Sequence, residues 1–169
     1  MATYRGVAAV CSAIVQMLED AYRADGFKNA LTFTVCDAEQ MVEPASGGIT
    51  LFLYRIAPDA SSRNRSRPEK GRQTPPLCLE LNFLITSWGR DVVQEQRILG
   101  WVMMTLNEHP VLSAAKVNAA APDVFEPDET VEIACGEMGA DEMARLWDSL
   151  GSGSYRLSVP YVARGVRLG

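Results

Sequence analysis

One histidine, His109, is all the imidazole that this 169-residue chain carries. It stands just before Pro110, where a helix has to end, and the dipole at that end suits it. Ser113 follows four residues later, but no acid is placed to orient the ring, which argues against a catalytic triad. The acid pairs, Glu19 with Asp20, Asp128 with Glu129 and Asp141 with Glu142, fall at helix ends or in loops, where solvation or capping explains them. No Walker loop, GxGxxG, HExxH or paired-cysteine zinc pattern occurs. Cys11, Cys36, Cys78 and Cys135 are isolated in apolar segments and read as buried cytosolic thiols. No stretch of about 18 apolar residues is present, which excludes a spanning helix. The first twenty residues read as an amphipathic helix rather than a signal peptide. Neither cofactor nor metal is expected, and no residue set supports an enzyme.

With 47% hydrophobic residues there is enough apolar material for a substantial core, and one domain over 1–169 is the simplest reading. The strongest pattern is residues 77–86, LCLELNFLIT, with apolar Leu77, Leu79, Leu81, Phe83 and Ile85 in one phase. That period of two is a strand with one face on a core. A corner at 87–90 leads to Asp91, an N-cap with Gln94 as its capping-box partner, and a helix to about His109. Its apolar residues cover more than the ordinary stripe, so cover on more than one side is expected, by its own sheet and by a second subunit. Trp101 lies off the stripe of Ile98, Val102 and Leu106 and reads either as core, the favoured choice, or as facing another chain. Trp147 reads as core.

Elsewhere the spacing predicts a helix over about 5–24, capped by Gly26, and a strand at 31–36 with Leu31, Phe33 and Val35 on one face. After the turn EPASGG, an interior strand is expected at 49–56, able to form a hairpin with the central strand. Residues 110–129 read as a loop and 131–134 as a short strand. A further helix opens at Gly139, stapled by Met138 and Met143, with Met143, Leu146, Trp147 and Leu150 as its buried stripe. After the GSGS turn comes a last strand over 155–168, where Pro160 predicts a bulge or an edge position. The fold class is α+β: a mixed, mostly antiparallel sheet of four to five strands packed by about three helices.

Residues 57–76 break the pattern. Arg63, Arg65, Arg67, Lys70 and Arg72 face a single acid, Glu69, so residues 63–72 carry a net +4 in a chain of net −5. Loops of this length without large apolar residues are commonly either disordered or functional. The alternatives are a solvated surface, docking on acidic protein through arginine forks, and phosphate binding. The overall acidic balance and the lack of interleaved aromatics argue against a dedicated nucleic-acid binder.

Taken in order, ITLFLYRIAPDASSRN, PPLCLELNFLITSWG, QRILGWVMMTLNEHPVL and ARLWDSLGSGSYRLSVPYVARGV resemble the N-terminal domain of tail-terminator (cap) proteins from phage-tail-like contractile injection systems. The resemblance spans almost the whole chain. Asp59 replaces a turn asparagine, Asn82 and Phe83 replace a His-Tyr pair, and Trp101 stands where a polar or basic residue is usual. The chain is read as ending soon after its last strand, without the C-terminal extension of larger relatives.

The resemblance implies a structural part, a six-fold ring that ends inner-tube and sheath polymerisation and anchors the far end of the sheath. Its implied partners are further copies of itself, the sheath protein and the inner tube protein, with neither membrane nor nucleic acid. It would be cytoplasmic during assembly and then part of the particle. Arg63, Asn64, Arg65, Arg67, Lys70, Arg72 and Trp101 are the candidate contacts, and a sheet edge near the last strand is a candidate strand acceptor. Another structural adaptor or tail-completion protein of the same particle, or a nucleic-acid-binding accessory protein, are the alternatives.

Overall fold

A computed structural model describes residues 2–24, 30–41, 43–44, 46–59, 75–151 and 155–169. In chain order the elements are α1 (Gly6–Ala24), β1 (Thr32–Cys36), β2 (Gly48–Pro58), β3 (Leu77–Trp88), α2 (Val92–Glu108), β4 (Val111–Ser113), α3 (Ala114–Ala120), β5 (Thr130–Cys135), α4 (Ala140–Ser149) and β6 (Ser158–Leu168). The strands form one six-stranded sheet in the order β1-β2-β3-β6-β5-β4. β1 and β2 run parallel, and the other pairings are antiparallel. The α+β class and the mixed, mostly antiparallel sheet agree with the sequence reading. The element counts do not: among the described residues there are six strands and four helices, against four to five and about three.

The alternation of β3 decides the layers. Leu81, Phe83 and Ile85 are buried in the main core with Val10, Ile14 and Leu18 of α1 and Leu99, Val102 and Leu106 of α2. Successive side chains of a strand point to opposite faces. Leu84 and Trp88 accordingly join a second cluster with Cys36, Met41, Met143 and Trp147, under α4. Helices α1 to α3 therefore cover one face of the sheet and α4 the other. Met138 and Met143 both pack in this second cluster, as the staple requires, and Gly139 is the N-cap. The two inner strands are tied by a buried hydrogen bond of 2.8 Å between the Thr86 and Ser158 hydroxyls.

The central corner forms as its residues dictate. Asp91 Oδ1 accepts from the Gln94 N–H at 2.8 Å, while Gln94 Oε1 accepts from the N–H of Arg90 at 2.8 Å, one residue earlier than a capping box places it. Trp88 Nε1 donates to Thr50 Oγ1 at 2.9 Å. Above its ring lies Arg156, 5.4 Å from the centroid, which also pairs with Glu43 at 3.5 Å and Glu95 at 3.4 Å. This side chain joins the approach to β2, the β3 corner and the first turn of α2.

Several expectations need correction. Residues 110–129 are not a plain loop. Ser113 ends β4 and caps α3 by accepting from the Lys116 N–H at 3.4 Å, while Ala114 and Val117 reach the core. A strand of three residues and a helix of seven are too short to show a period. In β1, Val35 is exposed while Cys36 is buried beneath α4, because so short an edge strand gives Val35 no cover.

The last strand is interior, between β3 and β5, and its bulge is not at Pro160. Arg164 and Gly165 together oppose Glu80, and Gly165 takes φ 86°, a left-handed conformation that glycine adopts without a Cβ penalty. Pro160 is tolerated because β5 pairing stops at Cys135↔Tyr161, so no ladder donor is needed there. Its carbonyl accepts from Gly136 N–H at 2.8 Å. Ala2, bridged to Leu168, flanks the far end of β6. The sheet edges are β1 and β4, so the strand acceptor expected near the last strand is not there.

The thiols are also uneven: Cys11 and Cys36 are buried, Cys78 is intermediate and Cys135 is exposed. Burial pushes the Cys11 and Cys36 thiols up to about 11 each from an ordinary 9.0. In native protein near pH 8, a maleimide is expected to label Cys135 first and Cys78 more slowly, with Cys11 and Cys36 reacting only on unfolding. Mass spectrometry of the labelled peptides checks this, and early labelling of Cys11 contradicts it.

Candidate functional site

The residues that sequence reasoning singled out divide into two groups. Arg63, Asn64, Arg65, Arg67, Lys70 and Arg72 lie outside the described residues, as do the Gly26 cap and most of the GSGS turn. Trp101 is described. Its ring meets Tyr22 of α1 edge-on at 5.3 Å and Phe33 of β1 edge-on at 6.4 Å. It is half-buried against the main core, with the rest of its surface in a groove of about 590 Å³. Tyr22, Arg90, Asp91, Val93, Gln94, Arg97 and Ile98 line the groove with it.

Helical spacing explains this cluster. Arg90, Gln94, Arg97 and Trp101 stand at intervals of four, three and four, which stacks them along one side of α2 and its N-terminal corner. Arg90 and Arg97 are exposed, and neither forms an ion pair among the described residues. The groove is aromatic at its floor, and its rim carries the Arg90 and Arg97 guanidinium groups against one carboxylate, Asp91, which is already engaged in capping α2. Such a surface can hold an acidic protein segment, because guanidinium forks match carboxylates and the ring faces supply desolvated area. Sequence reasoning missed Tyr22 and Arg97 as members.

The outward face of α2 adjoins the groove through Val93. Val93 is 55% and Met104 64% exposed, and Val92 and Met103 stand beside them. Gly100 lies on this face, and a Cβ added there would meet nothing within 4 Å. Replacing Gly100 with alanine is therefore expected to stabilise the isolated chain by about 0.8–1 kcal/mol, the ordinary helix-propensity difference. Urea unfolding checks this, and a loss of stability would show a constraint on the glycine that the fold does not supply.

The described residues offer little chemistry. His109 caps α2 through its backbone, with its N–H donating to the Thr105 carbonyl, and its imidazole makes no hydrogen bond or ion pair among the described residues. It borders a shallow hollow with Asp20 and Lys116, where the Asp20 carboxylate already accepts from Gln16 at 3.0 Å. Among the described residues no group of three or more His, Cys, Asp or Glu side chains could hold a metal ion. No described helix is long and apolar enough to cross a membrane.

The sequence profile of the Pvc16 N-terminal domain matches residues 9–169. Among solved structures, the chain is similar to the PVC sheath/tube terminator of an extracellular contractile injection system in its extended state. The TM-score there is 0.60 at 20% identity, covering 95% of this chain and 56% of that one. It is also similar to the tube-terminating cap of the anti-feeding prophage, with TM-score 0.63 at 19% identity, covering 95% and 54%. The chain thus spans about half the length of the terminators whose fold it shares. No protein of curated function matches the chain in sequence.

Proposed function

Because the chain belongs to the Pvc16 N-terminal domain family, we propose that it is a tail terminator of a contractile injection system. In this reading residues 1–169 act as one unit of a six-fold ring that sits on the last ring of inner tube and sheath. The ring stops further polymerisation and holds the far end of the sheath during contraction. It works by shape and breaks no bond. The observation that carries the reading is a fold shared with two tube terminators over 95% of the chain.

The physical requirements of a ring fit the surfaces described. A closed ring needs two different patches on each copy that meet head to tail. The groove beside Trp101 and the outward face of α2 supply apolar and cationic area for such a contact. Arg63, Asn64, Arg65, Arg67, Lys70 and Arg72, five of them basic, are the proposed contacts with a neighbouring copy, the sheath protein or the inner tube protein. Assembly takes place in the cytoplasm of the producing cell, and the mature location is the particle.

Two experiments test this reading. Native mass spectrometry of the purified chain is expected to show a hexamer or a ring that grows in with concentration; a strict monomer would confine ring formation to the tube end. Reversing charge at Arg63, Arg65 and Arg67 to Glu is expected to leave the protein folded but the particles uncapped or of uncontrolled length. Normal particles would remove these contacts from the account. An accessory role on nucleic acid is separated by a salt titration, since phosphate contacts give a steep loss of affinity with salt.

A further inference from the structure

We infer that neighbouring copies of this chain are joined by the cationic groove of one copy receiving the acidic loop of the next, an inference that rests on the ring reading. The groove lies at the β1 edge, because its floor, Tyr22 and Trp101, packs on Phe33 of that strand. At the opposite edge of the sheet, β4 pairs with β5, and the loop that enters β5 carries Asp123 and Asp128, both exposed. Exposed Glu132 follows on β5. Neither aspartate forms an ion pair among the described residues, which is equally true of Arg90 and Arg97.

The occupant of the groove is a second copy for two reasons. The charges are complementary: two arginines at one edge meet a row of carboxylates at the other. The two patches also lie toward opposite edges of one sheet, so a copy cannot satisfy its own groove. Head-to-tail contact uses every patch and is the arrangement that the ring reading requires, since such contacts build rings when the rotation closes. Complementary potentials of this kind fix partner and register more than they add raw affinity, and juxtaposed like charges oppose docking.

Charge-swapped copies test the pairing inside assembled particles. One variant carries Arg90→Glu and Arg97→Glu. The other carries Asp123→Asn and Asp128→Lys, where asparagine keeps the left-handed backbone that Asp123 adopts at φ 59°. Thermal melting first establishes that both fold like the unmodified chain. Particles are then produced with the unmodified chain, either variant alone, or both variants together, and the amount retained per particle is measured by quantitative mass spectrometry.

Retention is expected to fall more than about tenfold with either variant alone and to return when both are supplied, because alternating copies again place opposite charges at every contact. Recovery in the mixture excludes a lost tube or sheath contact, which mixing would not repair. If either variant alone is retained like the unmodified chain, or the mixture stays empty, the pairing is overturned while the ring reading stands. If the unmodified chain is itself absent from particles, the ring reading falls and the pairing with it.

Discussion

Replacing Phe83 with alanine is expected to destabilise the fold by about 3–5 kcal/mol, the range for truncating a buried aromatic. Phe83 has no exposed surface and lies stacked against Tyr161 of β6, with ring centroids 6.0 Å apart and planes 15° from parallel. It stands at the middle of the strand that both clusters share, so the hole it leaves is walled by β6 below and by α1 and α2 above. For a chain of this size the loss corresponds to a fall in melting temperature of roughly 6–20 °C. Leu77→Ala is the control. It occupies the same strand and phase, yet Leu77 is 53% exposed, and its truncation is expected to stay within about 0.5 kcal/mol. Equal effects of the two substitutions in denaturant titrations would show that burial along β3 does not set the cost of truncation.

Gly48→Ala should detach an edge of the sheet. Gly48 opens β2 at φ 156°, where a Cβ would lie 2.1 Å from the Thr32 carbonyl oxygen and 2.9 Å from the Thr32 amide nitrogen. Both are backbone atoms of β1 that cannot move without giving up the parallel pairing of Thr32↔Gly48. The cost is expected to be at least about 2 kcal/mol, from local strain and lost pairing. Hydrogen exchange makes the effect specific: β1 amides should lose protection while β3 and β6 keep theirs. The groove should suffer too, since Phe33 of β1 packs on the floor made by Tyr22 and Trp101. Uniform loss of protection across all six strands, or none, would contradict this division.

The parts of the fold legible in the sequence are those governed by local periodicity. The alternation of β3, the stripe of α1, the Asp91 cap and the Met138–Met143 staple each depend on residues within a turn or two of one another, and each forms as expected. What local pattern does not contain is pairing. Pro160 suggests an edge, but its tolerance in β6 depends on where β5 stops, 25 residues earlier in the chain. The alanines of α3 read as loop because a seven-residue helix gains its stability by packing on α1 rather than by showing a stripe.

The groove follows the same rule. The spacing of Arg90, Arg97 and Trp101 on one side of α2 was there to be read, but Tyr22 and Phe33 reach it from two other elements. The family resemblance supplied what periodicity did not, a role for a chain rich in surface and poor in chemistry.

A terminator is defined by its place on the particle. A three-dimensional reconstruction of assembled particles, at the end away from the target cell, is the direct measurement. The six-stranded sheet with its four helices is expected there as repeated density over the last ring of tube and sheath. Complete tails whose terminal ring holds no density for this chain would contradict it.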